Sequence, residues 1–169
     1  MPRKRPVHRL TARGLVVARP KIGKPTVGVI AAQLAELAPD QEAAIERLRH
    51  WAREKLLVSE AGPRGTGKHR HFASTAPYEA ATLTAIAATG LPVAPAAHYL
   101  TGALNLVCQA LPNWLANPHP FVLEIRFTLG SEADPEIELR TGVPAARPGS
   151  ADVALRINLD QIFRRIRQP

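Results

Sequence analysis

A chain of 169 residues with net charge +8, 46% hydrophobic residues and one cysteine has length enough for one substantial domain, or for two small ones needing a shared core. Its composition excludes a disordered protein, and the lone Cys108 excludes an internal disulfide or a thiolate metal cage. The apolar runs are short or broken by proline, and no apolar segment follows the basic N-terminus as in a secretory signal, so the sequence predicts a cytoplasmic, nucleoid-associated protein with no membrane partner.

The charge is unevenly placed. Residues 1–26 hold eight Lys and Arg and no acid, residues 27–75 hold seven basic and six acidic side chains, and residues 76–169 hold seven and eight. The excess therefore sits in the N-terminal arm, and an arm of this kind meets nucleic acid or an anionic membrane; with no amphipathic membrane helix in the sequence, nucleic acid is the expected partner. Residues 1–25 are punctuated by Pro2, Pro6, Pro20 and Pro25 and cannot bury enough apolar surface to fold alone. They are either a solvated tail or a DNA-tracking arm, with Arg3, Lys4 and Arg5 placed as a minor-groove contact. Residues 15–18 have the composition of a short added strand.

Thr26 is an expected N-cap, and Val27, Ile30, Leu34 and Leu37 follow it at the spacing of an amphipathic helix. The pattern breaks at residues 38–41, where Asp40 and Glu42 supply the cap and first-turn acid of a second helix running to about Lys55. Ile45, Leu48, Ala52 and Leu56 fall on one face of that helix, and Arg47, Arg49, His50 and Arg53 point away from it. Trp51 lies beside the apolar face and is read as core rather than as a DNA contact, with an upper-limit contribution of roughly 4–6 kcal/mol. Residues 56–59 have strand composition, residues 62–67 turn the chain and carry Arg64, and Lys68, His69, Arg70, His71 and Phe72 return as a second strand. Phe72, like Leu48 and Trp51, is expected in the core. Two helices, a tight turn and a basic hairpin predict a winged helix-turn-helix.

Beyond the hairpin, Ser74 or Thr75 begins a helix with Tyr78, Leu83 and Ile86 that stops at Gly90. No charged residue occurs from 80 to 122, and Ala97, Leu100, Leu104, Val107, Cys108, Leu111 and Leu115 repeat at helical spacing. A helix this apolar needs cover on most sides, and a second copy of the chain is an expected part of that cover. The period then changes to two. Residues 121–129 form a half-buried strand, residues 136–140 and 153–159 alternate likewise, and residues 160–167 close the chain as a short basic helix. The fold class is therefore α+β: a basic arm at 1–25, a winged helix-turn-helix at 26–90, and a helix with a small antiparallel sheet at 91–169 for dimerisation or effector binding.

Sites for other chemistry are weak. Cys108 has only His98 and His119 for company and is read as a small apolar side chain. Glu132, Asp134, Glu136 and Glu138 are read as a solvated acidic edge rather than a catalytic pair or a calcium site. Residues 62–68 lack phosphate-loop spacing, and no nucleophile with a base stands out. No enzyme activity, cofactor or metal is expected.

Residues 43–83 also resemble the DNA-binding domain of the MerR family of bacterial regulators, and the wider likeness spans residues 26–89. The shared features are a recognition helix with an Arg-aromatic-Trp centre, here Arg49, His50 and Trp51, a Leu56-Leu57 step, and a hairpin closing on His69-Arg70-His71-Phe72. The resemblance implies that Arg49 and His50 contact the DNA backbone and that Arg70 approaches phosphate from the wing. Arg47 is the expected base contact, with Arg53, Arg64, Lys68 and His69 as further contacts. The interval from Leu37 to Trp51 is longer than the family's turn, and an uncharged segment replaces its long dimerisation helix. The expected function is a dimeric transcription regulator on double-stranded DNA. The alternatives are an architectural, excision-type factor of a mobile element, or an effector or protein-interaction module addressed to DNA.

Overall fold

A computed structural model describes residues 24–60, 70–94, 99–128, 134–141 and 153–166. The contacts expected of Arg3, Lys4, Arg5, Arg64, Lys68 and His69 lie outside the described residues, as do His98, Glu132 and the strand expected at 15–18.

The first helix, α1 (Val27–Gln33), is capped by the Thr26 side chain, and the second, α2 (Gln41–Arg53), by Asp40, whose Oδ1 accepts from the Ala43 amide at 3.0 Å. Ile30 and Leu34 pack with Ala44, Leu48 and Trp51, all of them buried. The end of α2 differs from the expected run to Lys55 and directly into a strand. Lys55 takes φ +60°, and the Leu56 amide reaches back to the Trp51 carbonyl at 2.9 Å. That bond closes the helix as a Schellman turn, which satisfies end carbonyls and needs a left-handed residue at this point. Leu56 and Leu57 are then buried in the turn, and pairing begins only at β1 (Ser59–Glu60), antiparallel to β2 (His71–Phe72).

Helix α3 (Ala76–Ala88) follows the hairpin after three residues and is apolar almost all round, with Ala76, Tyr78, Ala80, Ala81, Leu83 and Ile86 buried. A helix buried on all sides joins layers, and α3 touches α1 as well as α4 (Tyr99–Ala116) and α5 (Leu159–Arg164). Gly90, at φ +83°, sits just past its end.

Three antiparallel strands, β3 (Phe121–Phe127), β4 (Glu136–Thr141) and β5 (Val153–Asn158), form a sheet in the order β4-β3-β5. Helix α4 lies against β4, and Gly102 permits the approach: a methyl group there would come within 3.1 Å of Ile137 Cδ1. The buried seam of α4 is Leu100, Ala103, Leu104, Val107, Leu111 and Trp114. Leu115, expected on that seam, is instead 51% exposed. The seam advances by alternating three and four residues, which favours position 114, where an indole can both fill space and donate. Trp114 Nε1 donates to Asp160 Oδ1 at 2.9 Å, and its ring packs edge-on against Tyr78 and Phe163, with centroids 6.2 and 5.5 Å away. One hydrophobic cluster thus runs from Ile30 to Ile166.

The strand expected to be half-buried is covered on both faces. Phe121, Leu123 and Ile125 face the core, and on the other face Glu124 is only 2% exposed. Arg126 Nε and Arg156 Nε donate to its two oxygens at 2.6 and 3.0 Å, and Arg140 lies 3.7 Å away. Glu136 and Glu138 are 71% and 41% exposed on the edge strand β4, as expected of a solvated acidic edge, but both also bind Arg126 at 2.9 Å, and Glu138 binds Arg140 at 2.8 Å. Register is the cause, since Glu124 stands opposite Glu138 on one side and Arg156 on the other. Burial of an ion is tolerable only with such pairing.

Candidate nucleic-acid interface

Helix α2 buries Ala44, Leu48, Trp51 and Ala52, and at about 100° per residue its remaining arc over residues 46–53 carries, in order, Arg49, Arg53, Glu46, His50 and Arg47. All five side chains are exposed. Arg49 and Arg47 mark the two edges of this arc, about 160° apart, so the expected contacts divide into two groups. On one side, Arg49 and Arg53 meet Arg70 from the hairpin around a cleft of about 590 Å3. The floor of this cleft is apolar, from Val27, Ile45, Ala52 and Phe72, and Glu46 stands at its rim. On the other side, Arg47 and His50 face away from the cleft.

Packing fixes this arrangement. Leu48 and Trp51 are buried to 1% and 4% exposure and set the rotation of α2, while fully buried Phe72 anchors β2, and Arg70, just before that strand, lines the cleft. The root of the basic arm is fixed in the same place. Phe72 N–H donates to the Pro25 carbonyl at 2.9 Å, and His71 Nδ1 lies 3.1 Å from the Lys24 carbonyl. Residues 24 and 25 therefore run along the outer edge of β2, beside Arg70.

Over residues 46–53 one acid interrupts the cationic arc, and Glu42, in the first turn, falls on the same face. Glu46 Oε1 accepts from Arg49 Nη1, one turn further along the helix. The pairing was legible from the spacing of three between residues 46 and 49, but not from the basic side chains alone.

The other titratable candidates have structural partners. Cys108 Sγ lies 3.4 Å from Glu79 Oε1, and burial, with the Glu79 carboxylate alongside, pushes its thiol up to about 12. His119 Nδ1 lies 2.8 Å from the Asn117 carbonyl. Among the described residues no group of three His, Cys, Asp or Glu is placed to hold a metal ion, and no helix is long and apolar enough to cross a membrane.

A scan against protein-family models and a search of curated proteins return no match for this chain.

Proposed function

We propose that the protein binds double-stranded DNA through α2 and the β1-β2 hairpin, acting together as a winged helix-turn-helix, and that it regulates transcription. The observation that carries this reading is the convergence of Arg49, Arg53 and Arg70, from a helix and a hairpin, on one cleft. Three guanidinium groups around an apolar floor suit a sugar-phosphate strand: the deoxyribose covers the floor and the phosphate oxygens take the forked donors. With one DNA strand held there, the exposed arc of α2 turns toward the major groove, where His50 and Arg47 reach base edges. The arm, whose root at Lys24 and Pro25 lies against β2, supplies Arg3, Lys4 and Arg5 as further cations for the duplex.

A homodimer belongs to this reading. The uncharged run at residues 80–122 leaves Thr101, Asn105, Gln109, Asn113 and Leu115 exposed on α4, a surface that a second copy can cover without burying ions. The test is fluorescence anisotropy of the full chain on a labelled 30-base-pair duplex across a salt series. About five neutralised phosphates per chain give a log K against log salt slope near −4.5, doubled for a dimer. Absent or salt-independent binding overturns the proposal.

A further inference from the structure

Glu46 is the one acid in the body of an otherwise basic reading helix, since residues 43–53 hold Arg47, Arg49, His50 and Arg53 but no other Asp or Glu. Glu42 sits in the first turn, where an acid stabilises the helix end, but Glu46 lies a turn further in and has no such role. Its carboxylate is 65% exposed and pairs with an Arg49 side chain that is 61% exposed. A surface pair of this kind adds little stability. Against a phosphate backbone the same carboxylate is unfavourable, as it repels the strand that Arg49, Arg53 and Arg70 attract. It sits between Arg53 and His50 on the exposed arc of α2, where the strand-holding cleft gives way to the part of the arc turned toward the major groove.

We infer that Glu46 sets base specificity, its carboxylate accepting a hydrogen bond from the exocyclic amino group of a cytosine in the major groove while it braces Arg49. This inference rests on the DNA-binding reading and deepens it. Amino donors are what a carboxylate can use in the major groove, and cytosine N4 is the one it pairs with best. The bond from Arg49 engages Oε1, and a carboxylate has a second oxygen with its own lone pairs for the base. Bracing by Glu46 also keeps the Arg49 guanidinium on the cleft side, so base reading and strand holding share one ion pair.

Selection of bound duplexes from random DNA, run in parallel on the wild-type chain and on Glu46→Gln and Glu46→Ala, tests the inference. Wild type is expected to enrich a cytosine at one position of its site. Glu46→Ala should lose roughly 10- to 100-fold of the discrimination there while keeping the rest of the site. It should also bind unrelated duplexes more tightly, because a negative charge has gone. Glu46→Gln should move the same position toward adenine, which a side-chain amide pairs with at N6 and N7. If both variants select the wild-type site unchanged and merely bind all DNA more tightly, Glu46 is a solvated charge and the inference is overturned. If wild type enriches no sequence yet binds DNA with a steep salt slope, sequence reading by Glu46 fails and DNA binding stands. If wild type binds no DNA at all, both fail together.

Discussion

The backbone N–H of Phe72 donates to the carbonyl of Pro25 at 2.9 Å, tying the root of the basic arm to the hairpin that presents Arg70. An arm rooted elsewhere would raise local DNA concentration and little more. On the proposed reading, an arm rooted here starts beside Arg70 and adds its cations next to the hairpin. Removing residues 1–22 keeps that bond and the described core, so thermal stability should change little. The salt slope for DNA binding should fall by about 0.9 for each phosphate the arm neutralises, and footprinting should show protection lost on one flank only. An unchanged slope would make the arm a solvated tail.

Trp51 reaches no solvent-facing part of the interface, yet it fixes the rotation of α2. Trp51→Ala should cost about 3–5 kcal/mol in denaturant unfolding, as large-to-small changes of buried aromatics do. Leu48→Ala should cost about 2–5 kcal/mol. Both should weaken DNA binding by loosening the rotation of α2 as well as by unfolding the chain, whereas Arg53→Ala should weaken binding at unchanged stability.

Acid should act through Glu124 on the sheet and Asp160 in α5. The hydrogen bond from Arg126 holds the Glu124 carboxyl below its usual range; burial opposes this, and the hydrogen bond from Arg156 and the charges of Arg140 and Arg156 reinforce it. At Asp160 burial pushes upward, but the hydrogen bonds from Arg164 and Trp114, with the charges of Arg164 and His119, outweigh it and leave the group lowered. A carboxyl lowered on folding contributes stability above its unfolded pKa and loses it as pH falls through the folded one. Unfolding free energy should therefore be flat near neutrality and decline below the ordinary carboxylate range. Glu124→Gln should cost about 3 kcal/mol at pH 7, since it strips clustered arginines of their buried counter-charge. That cost should shrink as pH falls below about 4. A gap independent of pH would show that the network does not depend on the charge of Glu124.

Lys55 occupies a left-handed conformation, φ +60°, that a side chain disfavours by roughly 1–2 kcal/mol. Lys55→Gly relieves this, but the unfolded chain gains freedom worth about 0.4–1 kcal/mol. The net expectation is a stabilisation of about 0.5–1 kcal/mol in denaturant unfolding, with DNA affinity unchanged at constant salt. Loss of stability would mean that the Schellman turn is not what closes α2.

The helices were legible because their ends are chemically marked: Thr26 and Asp40 are capping side chains, and Gly90 is a stop. The core of α2 was legible because Leu48 and Trp51 sit at helical spacing. The sheet's charged face was not, because alternation shows which side chains share a face but not which residues oppose one another. Glu124 and Glu138 are fourteen positions apart and meet only through the β3-β4 register. Trp114 escaped for a related reason: one apolar repeat fits either Trp114 or Leu115, and its hydrogen bond to Asp160, 46 residues away, decides between them. At the interface, the basic side chains of α2 were legible one by one. Their division into a cleft group with Arg70 and a separate Arg47–His50 edge required the hairpin to be placed against the helix.

The proposed function stands or falls on whether the Arg49, Arg53 and Arg70 cleft grips a DNA strand. The most direct measurement compares the salt dependence of DNA binding by the wild-type chain and by the Arg49→Ala/Arg53→Ala/Arg70→Ala variant, with unfolding curves recorded alongside. All three side chains are exposed, so the variant should unfold as wild type does. If each guanidinium neutralises one phosphate, the slope of log K against log salt should become shallower by roughly 2.7 per bound chain, with a corresponding loss of affinity at low salt. Equal slopes and equal affinities for the two proteins would contradict the account and place the DNA-binding surface, if the chain has one, elsewhere.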